Sequence, residues 1–191
     1  MKKIWDRLMK AIGNEYAVAG IMGNLEAESA LKSNNLQNSY EKIIGMNDVQ
    51  YTNAVNNKNY SRGSFYSDHA GYGLAQWTYW SRKAGLYDFI FSNGYNDISS
   101  EEGQLDFLYK ELKENYSGTL KKLLVSSSVR EASDIFCKEY ENPANQSEPY
   151  LQARANKGQK WYDMYHGVIV DAMQEEMEKI YQCLIRMGFK K

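Results

Sequence analysis

The spacing of apolar residues constrains this chain more than anything else: it is helical almost throughout, and strand-like alternation is scarce. Only two prolines, Pro143 and Pro149, punctuate it. Residues 2–12 predict a short amphipathic helix that stops at Gly13-Asn14. Residues 15–30 predict a second helix, with Val18, Ile21, Met22 and Leu25 at helical spacing. It is apolar over much of its circumference, as a central, buried helix is. A weaker third helix is expected over 40–57. Residues 56–75 are rich in Asn, Ser, Gly and Tyr and read as irregular structure with a small hairpin. Helical spacing resumes over 77–92 and closes at Asn93-Gly94. Ser99-Ser100-Glu101-Glu102 offers N-cap chemistry for a helix through about Asn115, and Ser126-Ser127-Ser128 for another to about Tyr140. Asn142-Pro143 breaks that one, and a further helix runs from about Pro149 to Tyr165. The fold class is therefore mainly α.

A length of 191 residues suits one domain with a short appendage. The boundary falls at 167/168. Beyond it Ile169, Met173, Met177, Ile180, Leu184 and Met187 recur at alternating spacings of three and four. Residues 168–188 thus predict a C-terminal helix for packing on the domain, for linking to a further module, or for self-association.

Several functions are excluded. With 23 basic and 24 acidic residues, the chain lacks the basic excess that bulk binding to nucleic acid or anionic lipid requires. No apolar run approaches the ~20 residues of a membrane span, so no membrane insertion is expected. The opening Met1-Lys2-Lys3 resembles the start of a signal peptide, but Asp6, Arg7, Lys10 and Glu15 interrupt its apolar core, so no classical export signal is read. Cys137 and Cys183 form no CxxC pair, and no two His or Cys residues have metal-binding spacing. Neither a metal nor a cofactor is expected. A thiol peptidase using Cys137 with His69 or His166 is disfavoured, because Cys137 sits on a predicted helix with no activating surroundings.

Two segments carry candidate chemistry. In Gly23-Asn24-Leu25-Glu26-Ala27-Glu28-Ser29, two carboxylates flank opposite sides of a buried apolar stripe. A carboxyl held against apolar surface resists ionisation and can act as a general acid near neutral pH. Periodicity alone does not choose between Glu26 and Glu28. In Asp68-His69-Ala70-Gly71-Tyr72-Gly73-Leu74-Ala75-Gln76-Trp77-Thr78, two glycines permit tight turns, and Tyr72, Trp77, Tyr79 and Trp80 crowd around Gln76. Aromatic faces pack on sugar C–H surfaces and amides pair with hydroxyls, which makes this a saccharide-lining candidate. Trp5, Phe107, Phe136 and Trp161 take helical positions and read as core.

Gly20 through Ser29 resembles the catalytic helix of the phage tail lysozyme family, "aGilGN…ES". Gly71-Tyr72-Gly73-Leu74-Ala75-Gln76-Trp77-Thr78 with Arg82 is similar to that family's "GyGl.QWT…R". Tyr140-Glu141-Asn142-Pro143, then Arg154, Ala155, Trp161 and Tyr162, is similar to its "yE.P…R…A…wy" ending. The blocks keep their order over about residues 5–166. More distantly, they resemble goose-type lysozymes and soluble lytic transglycosylases. The resemblance implies a lysozyme-like fold and, as partner, the glycan strands of peptidoglycan. It points to Glu28 as the catalytic acid that cleaves the β-1,4 bond, with Gln76 and its neighbours bordering the cleft. Tyr72, Trp77, Glu26 and Tyr140 are the further expected substrate contacts, while Glu141 reads as structural.

An inverting hydrolase needs a second carboxylate to activate water. Asp68 is the first expectation, with Asp48 and Glu41 also available. Without one, the substrate's own hydroxyl attacks and an anhydro sugar results, as in a lytic transglycosylase. The non-enzymatic alternative is a glycan-binding tail module. The resemblance implies a phage-encoded protein that reaches the host wall through a membrane pore, as an endolysin does, or aboard the virion tail, with a wall-binding module as the partner that residues 168–188 would link to.

Overall fold

The computed structural model describes residues 1–167 and the single residue Lys179. The expected C-terminal helix lies otherwise outside the described residues. The ten α-helices of the described part are α1 (Lys2–Ile12), α2 (Glu15–Ser29), α3 (Asn38–Ile44), α4 (Asp48–Asn56), α5 (Arg62–Ser67), α6 (Trp80–Ser92), α7 (Glu101–Glu114), α8 (Ser117–Leu124), α9 (Val129–Phe136) and α10 (Glu148–Tyr165). A π-helical turn, Cys137–Glu141, continues α9. There is no β-strand among the described residues, only isolated antiparallel bridges joining Leu36 to Tyr72 and Tyr72 to Trp77.

The centre of the fold is α2. Asn14 caps it by accepting from the Ala17 amide, and from Ala17 to Leu25 the helix is buried without interruption. It packs against α9 and α10, and α1 lies along it. Glycine makes this approach possible. A Cβ on Gly20 would lie 2.6 Å from the Ser133 nitrogen, and one on Gly23 2.4 Å from the Gly158 nitrogen. Such contacts fall well inside van der Waals separation, so the helices touch backbone to backbone.

Elsewhere the sequence signals act locally. The expected helix over 40–57 is two helices, because Gly45 takes φ +77° and an Asn47–Gln50 capping box starts α4 afresh. Ser100 and Ser128 cap α7 and α9 through their side chains, as their positions predict. The segment 56–75 holds the short helix α5 and one arm of a small hairpin-like turn whose ends, Tyr72 and Trp77, pair through their backbones. Helix α8 was not anticipated; Tyr116 before it makes no side-chain cap.

Candidate functional site

Glu28 stands in the last turn of α2, where the helix leaves the core. Two consecutive non-glycine residues, Ala30 and Leu31, then adopt φ of +53° and +59°, turning the chain sharply away. Ser29 fixes this exit. Its hydroxyl lies 3.0 Å from the Leu25 carbonyl and donates to the Leu74 carbonyl at 2.9 Å, tying the helix end to the glycine turn.

That turn is held from both sides. Gln104 accepts from the Leu74 amide at 2.9 Å and donates to the carbonyls of Ser33 and Ile98. It sits where a Cβ on Gly73 would be, at 2.6 Å, so this position excludes any side chain. Gln76 adopts φ +44°, a region L-residues rarely occupy, and donates to the Asn35 and Gly73 carbonyls. Strained backbone of this kind concentrates at functional sites.

Glu28 and Gln76 thereby face common space. A cavity of about 520 Å³ is lined by Glu26, Glu28, Asn35, Gln37, Asp48 and Gln76, among others. A second, of about 380 Å³, is lined by Glu28, Gln37, Gln76, Thr78, Glu141 and Pro143, among others. Glu28, Gln37 and Gln76 belong to both, so the cavities form one cleft with Glu28 at the junction. Both volumes lie in the range of small-molecule sites.

The two carboxylates of α2 have different partners. Glu26 accepts from Lys157 Nζ at 2.7 Å and from Trp161 Nε1 at 2.8 Å, which binds it to α10. Glu28 accepts from Arg154 Nη2 at 2.5 Å. Arg154 is itself oriented by the Asn24 side-chain oxygen at 3.1 Å and by the Tyr150 hydroxyl. Asn24 in turn donates to the Ser133 carbonyl on α9. Each Glu28 contact thus traces back to a residue of the buried α2–α9–α10 cluster.

Glu141 is the carboxyl that sequence reasoning passed over as structural. It ends the π turn, and Asn142 follows with φ +47°. It lines the second cavity, yet its Oε1 is enclosed and has no hydrogen-bond partner. Burial, and then the charge of Glu28, push its pKa up to about 8, against the pull of Arg82 and Arg154. Its position within the block Tyr140-Glu141-Asn142-Pro143 was the available signal. Spacing does not reveal a π turn.

Several expected site residues lie elsewhere. Asp68 does not line the cleft: it pairs with the buried Lys83 and accepts from the Tyr51 hydroxyl at 2.5 Å and the Ala70 amide at 3.0 Å. Tyr72 and Trp77 are fully buried and Tyr140 is 1% exposed, so none offers a face to a glycan. Tyr72 shares a hydrogen bond with Thr52, while Trp77 and Tyr140 both donate to Glu111. Of the aromatic cluster, only Tyr79 and Trp80 are exposed, next to the cleft residue Thr78. Asp48 does line the larger cavity, where one oxygen accepts from the Leu36 amide at 2.8 Å. Cys137 is buried, and that burial pushes its thiol pKa up, the opposite of an activated nucleophile. Among the described residues no cluster of His, Cys, Asp and Glu could hold a metal, and no helix is long and apolar enough to cross a membrane.

A mainly helical domain with a polar cleft opening at the end of its buried central helix, with a carboxylate at the cleft's midpoint, has the architecture of a lysozyme-like protein. The family model for phage tail lysozyme matches residues 1–165, and the chain belongs to that family. Its origin is thus a phage, its function of the peptidoglycan-lytic, lysozyme-like kind, and its substrate class peptidoglycan. No curated protein and no solved structure was found to match the chain.

Proposed function

We propose that the chain is a glycosidase that cleaves the β-1,4 glycan bond of peptidoglycan, with Glu28 as the essential acid. The observation that carries this is the position of Glu28, the one glutamate shared by both halves of the cleft. A glycan lying along the cleft would then present a bond to Glu28 with sugars on either side. The leaving oxygen needs a proton, and a carboxyl at the junction can deliver it. Asp48, which lines the same cavity, takes the role first expected of Asp68, steering water to the opposite face of the sugar. Gln37 and Gln76 supply amides for sugar hydroxyls.

The test is end-group analysis of purified peptidoglycan digested by the wild type and by Glu28→Gln. Reducing ends are expected from the wild type, with turnover at least about 100-fold lower in the variant. Anhydro-muramyl ends would instead mean that the substrate's own hydroxyl attacks and that Asp48 has no part. A folded, fully active Glu28→Gln protein would remove Glu28 from the mechanism and turn attention to Glu26. Proteins carried on a virion tail and endolysins released through a membrane pore both suit this activity.

A further inference from the structure

Behind the cleft three carboxyls meet two guanidiniums. Glu28 comes from α2, Glu111 from α7 and Glu141 from the π turn; Arg82 comes from α6 and Arg154 from α10. Arg82 is committed to Glu111, which it contacts through Nε at 2.8 Å and Nη2 at 3.0 Å. Glu111 also accepts from Trp77 and Tyr140, so it is filled by donors, as an ionised carboxylate is. Arg154 is committed to Glu28. Glu141 is left over. No side-chain hydrogen bond or ion pair among the described residues reaches it, and its Oε1 is sealed from water. A carboxyl with an enclosed oxygen and neither an ion pair nor a donor is driven towards its neutral form.

This neutral acid lines the same cavity as Glu28 and Gln76. The π turn makes that placement. An inserted residue widens the helix, and such turns recur at functional sites. We infer that Glu141 is the proton-holding partner of Glu28 in the resting cleft, and that its proton is the one the leaving glycosidic oxygen receives by way of Glu28. The inference rests on the glycosidase reading and adds Glu141 to it as the proton-holding partner of Glu28. As the bond from C1 to the leaving oxygen breaks, its electron pair goes to that oxygen, which takes a proton from Glu28 while Glu28 takes the one from Glu141. Water adds to C1 and gives its own proton to Asp48. Exchange with solvent restores the pair and Asp48.

Glu141→Gln keeps the shape and removes the proton, so it is the variant to measure. On peptidoglycan, wild-type kcat/KM is expected to fall as pH rises through about 8, where Glu141 loses its proton. The variant should be on the order of 100-fold slower at pH 7, with its falling limb displaced to lower pH. Wild-type rates with an unchanged limb would overturn the inference.

A second arm needs no substrate. Glu141 holds its proton to about 8 when folded, against 4.5 for an ordinary glutamate, so the unfolded chain binds fewer protons across that window. Wild-type stability must then fall as pH rises from about 5 to 8, and this loss is absent from the variant. The melting temperature of Glu141→Gln should gain on the wild type through that window and then run parallel to it. Midpoints that run parallel throughout would show that Glu141 carries no such proton. If those midpoints diverge but the wild type cuts no glycan, the glycosidase reading and the catalytic half of the inference fail together, while the proton on Glu141 stands.

Discussion

Asp68 loses its water on folding and takes in exchange the Lys83 ammonium, the Tyr51 hydroxyl and the Ala70 amide. Lys83 is fully buried, and its remaining contacts are the Tyr51 hydroxyl at 3.2 Å and the Ala70 carbonyl at 2.8 Å. Removing one partner of such a pair strands the other charge in a medium that cannot solvate it, at a cost of about 3–5 kcal/mol. Asp68→Asn should therefore lower the denaturation midpoint strongly in urea or on heating. The folded fraction should retain its specific rate on peptidoglycan, because Asp68 lies outside the cleft. A variant of normal stability and lost turnover would restore Asp68 as a catalytic base. Glu141 differs: its Oε1 is enclosed, but only Asp68 has an ion pair, and only Glu141 lines the cavity.

At the scale of elements, the crossing of α2 and α10 decides whether Arg154 reaches Glu28. Gly23 and Gly158 are the contact points, and a Cβ on Gly23 would meet the Arg154 carbonyl at 2.5 Å. These neighbours are backbone and cannot swing aside. Gly23→Ala should cost about 1–3 kcal/mol in overpacking. It should also separate the helices enough to loosen the Arg154–Glu28 contact, so activity is expected to fall more than the folded fraction does. Chemical denaturation and a rate measurement on the same sample check this, and equal losses would confine the effect to stability. Helix α2 was legible in the sequence because its apolar residues surround it and a carboxylate closes it. The serine caps of α7 and α9 were legible because capping is local chemistry. The roles of Tyr72, Trp77 and Tyr140 were not, since an aromatic beside a glycine turn packs equally well inward or outward. What turned them inward is tertiary: Glu111, more than 25 residues away from two of them, supplies the acceptor for Trp77 and Tyr140. Glu141 was hidden for the same reason, because its environment is assembled from four other helices.

Over the whole molecule, charge is nearly balanced at a formal net of −1, so no long-range field draws an ionic ligand to the cleft. The charges near the cleft are mostly spoken for: Glu26 by Lys157, Glu28 by Arg154, and Glu111 by Arg82. Apart from Lys32 and Asp48, what remains for recognition is neutral: the amides of Asn35, Gln37 and Gln76, with the exposed rings of Tyr79 and Trp80 beside Thr78. Hydrogen bonds and stacking of this kind act at contact, where salt has little effect, whereas electrostatic steering falls steeply as the screening length shrinks. On peptide-free glycan strands, kcat/KM is therefore expected to change by less than about threefold between 50 and 200 mM salt. Partly buried pairs such as Arg154–Glu28 are screened far less than surface ones, so the catalytic group should also be indifferent to salt over this range. A loss of tenfold or more would mean that charge captures the strand first, and replacing Lys32, which lines the larger cavity, would then show whether that charge lies in the cleft.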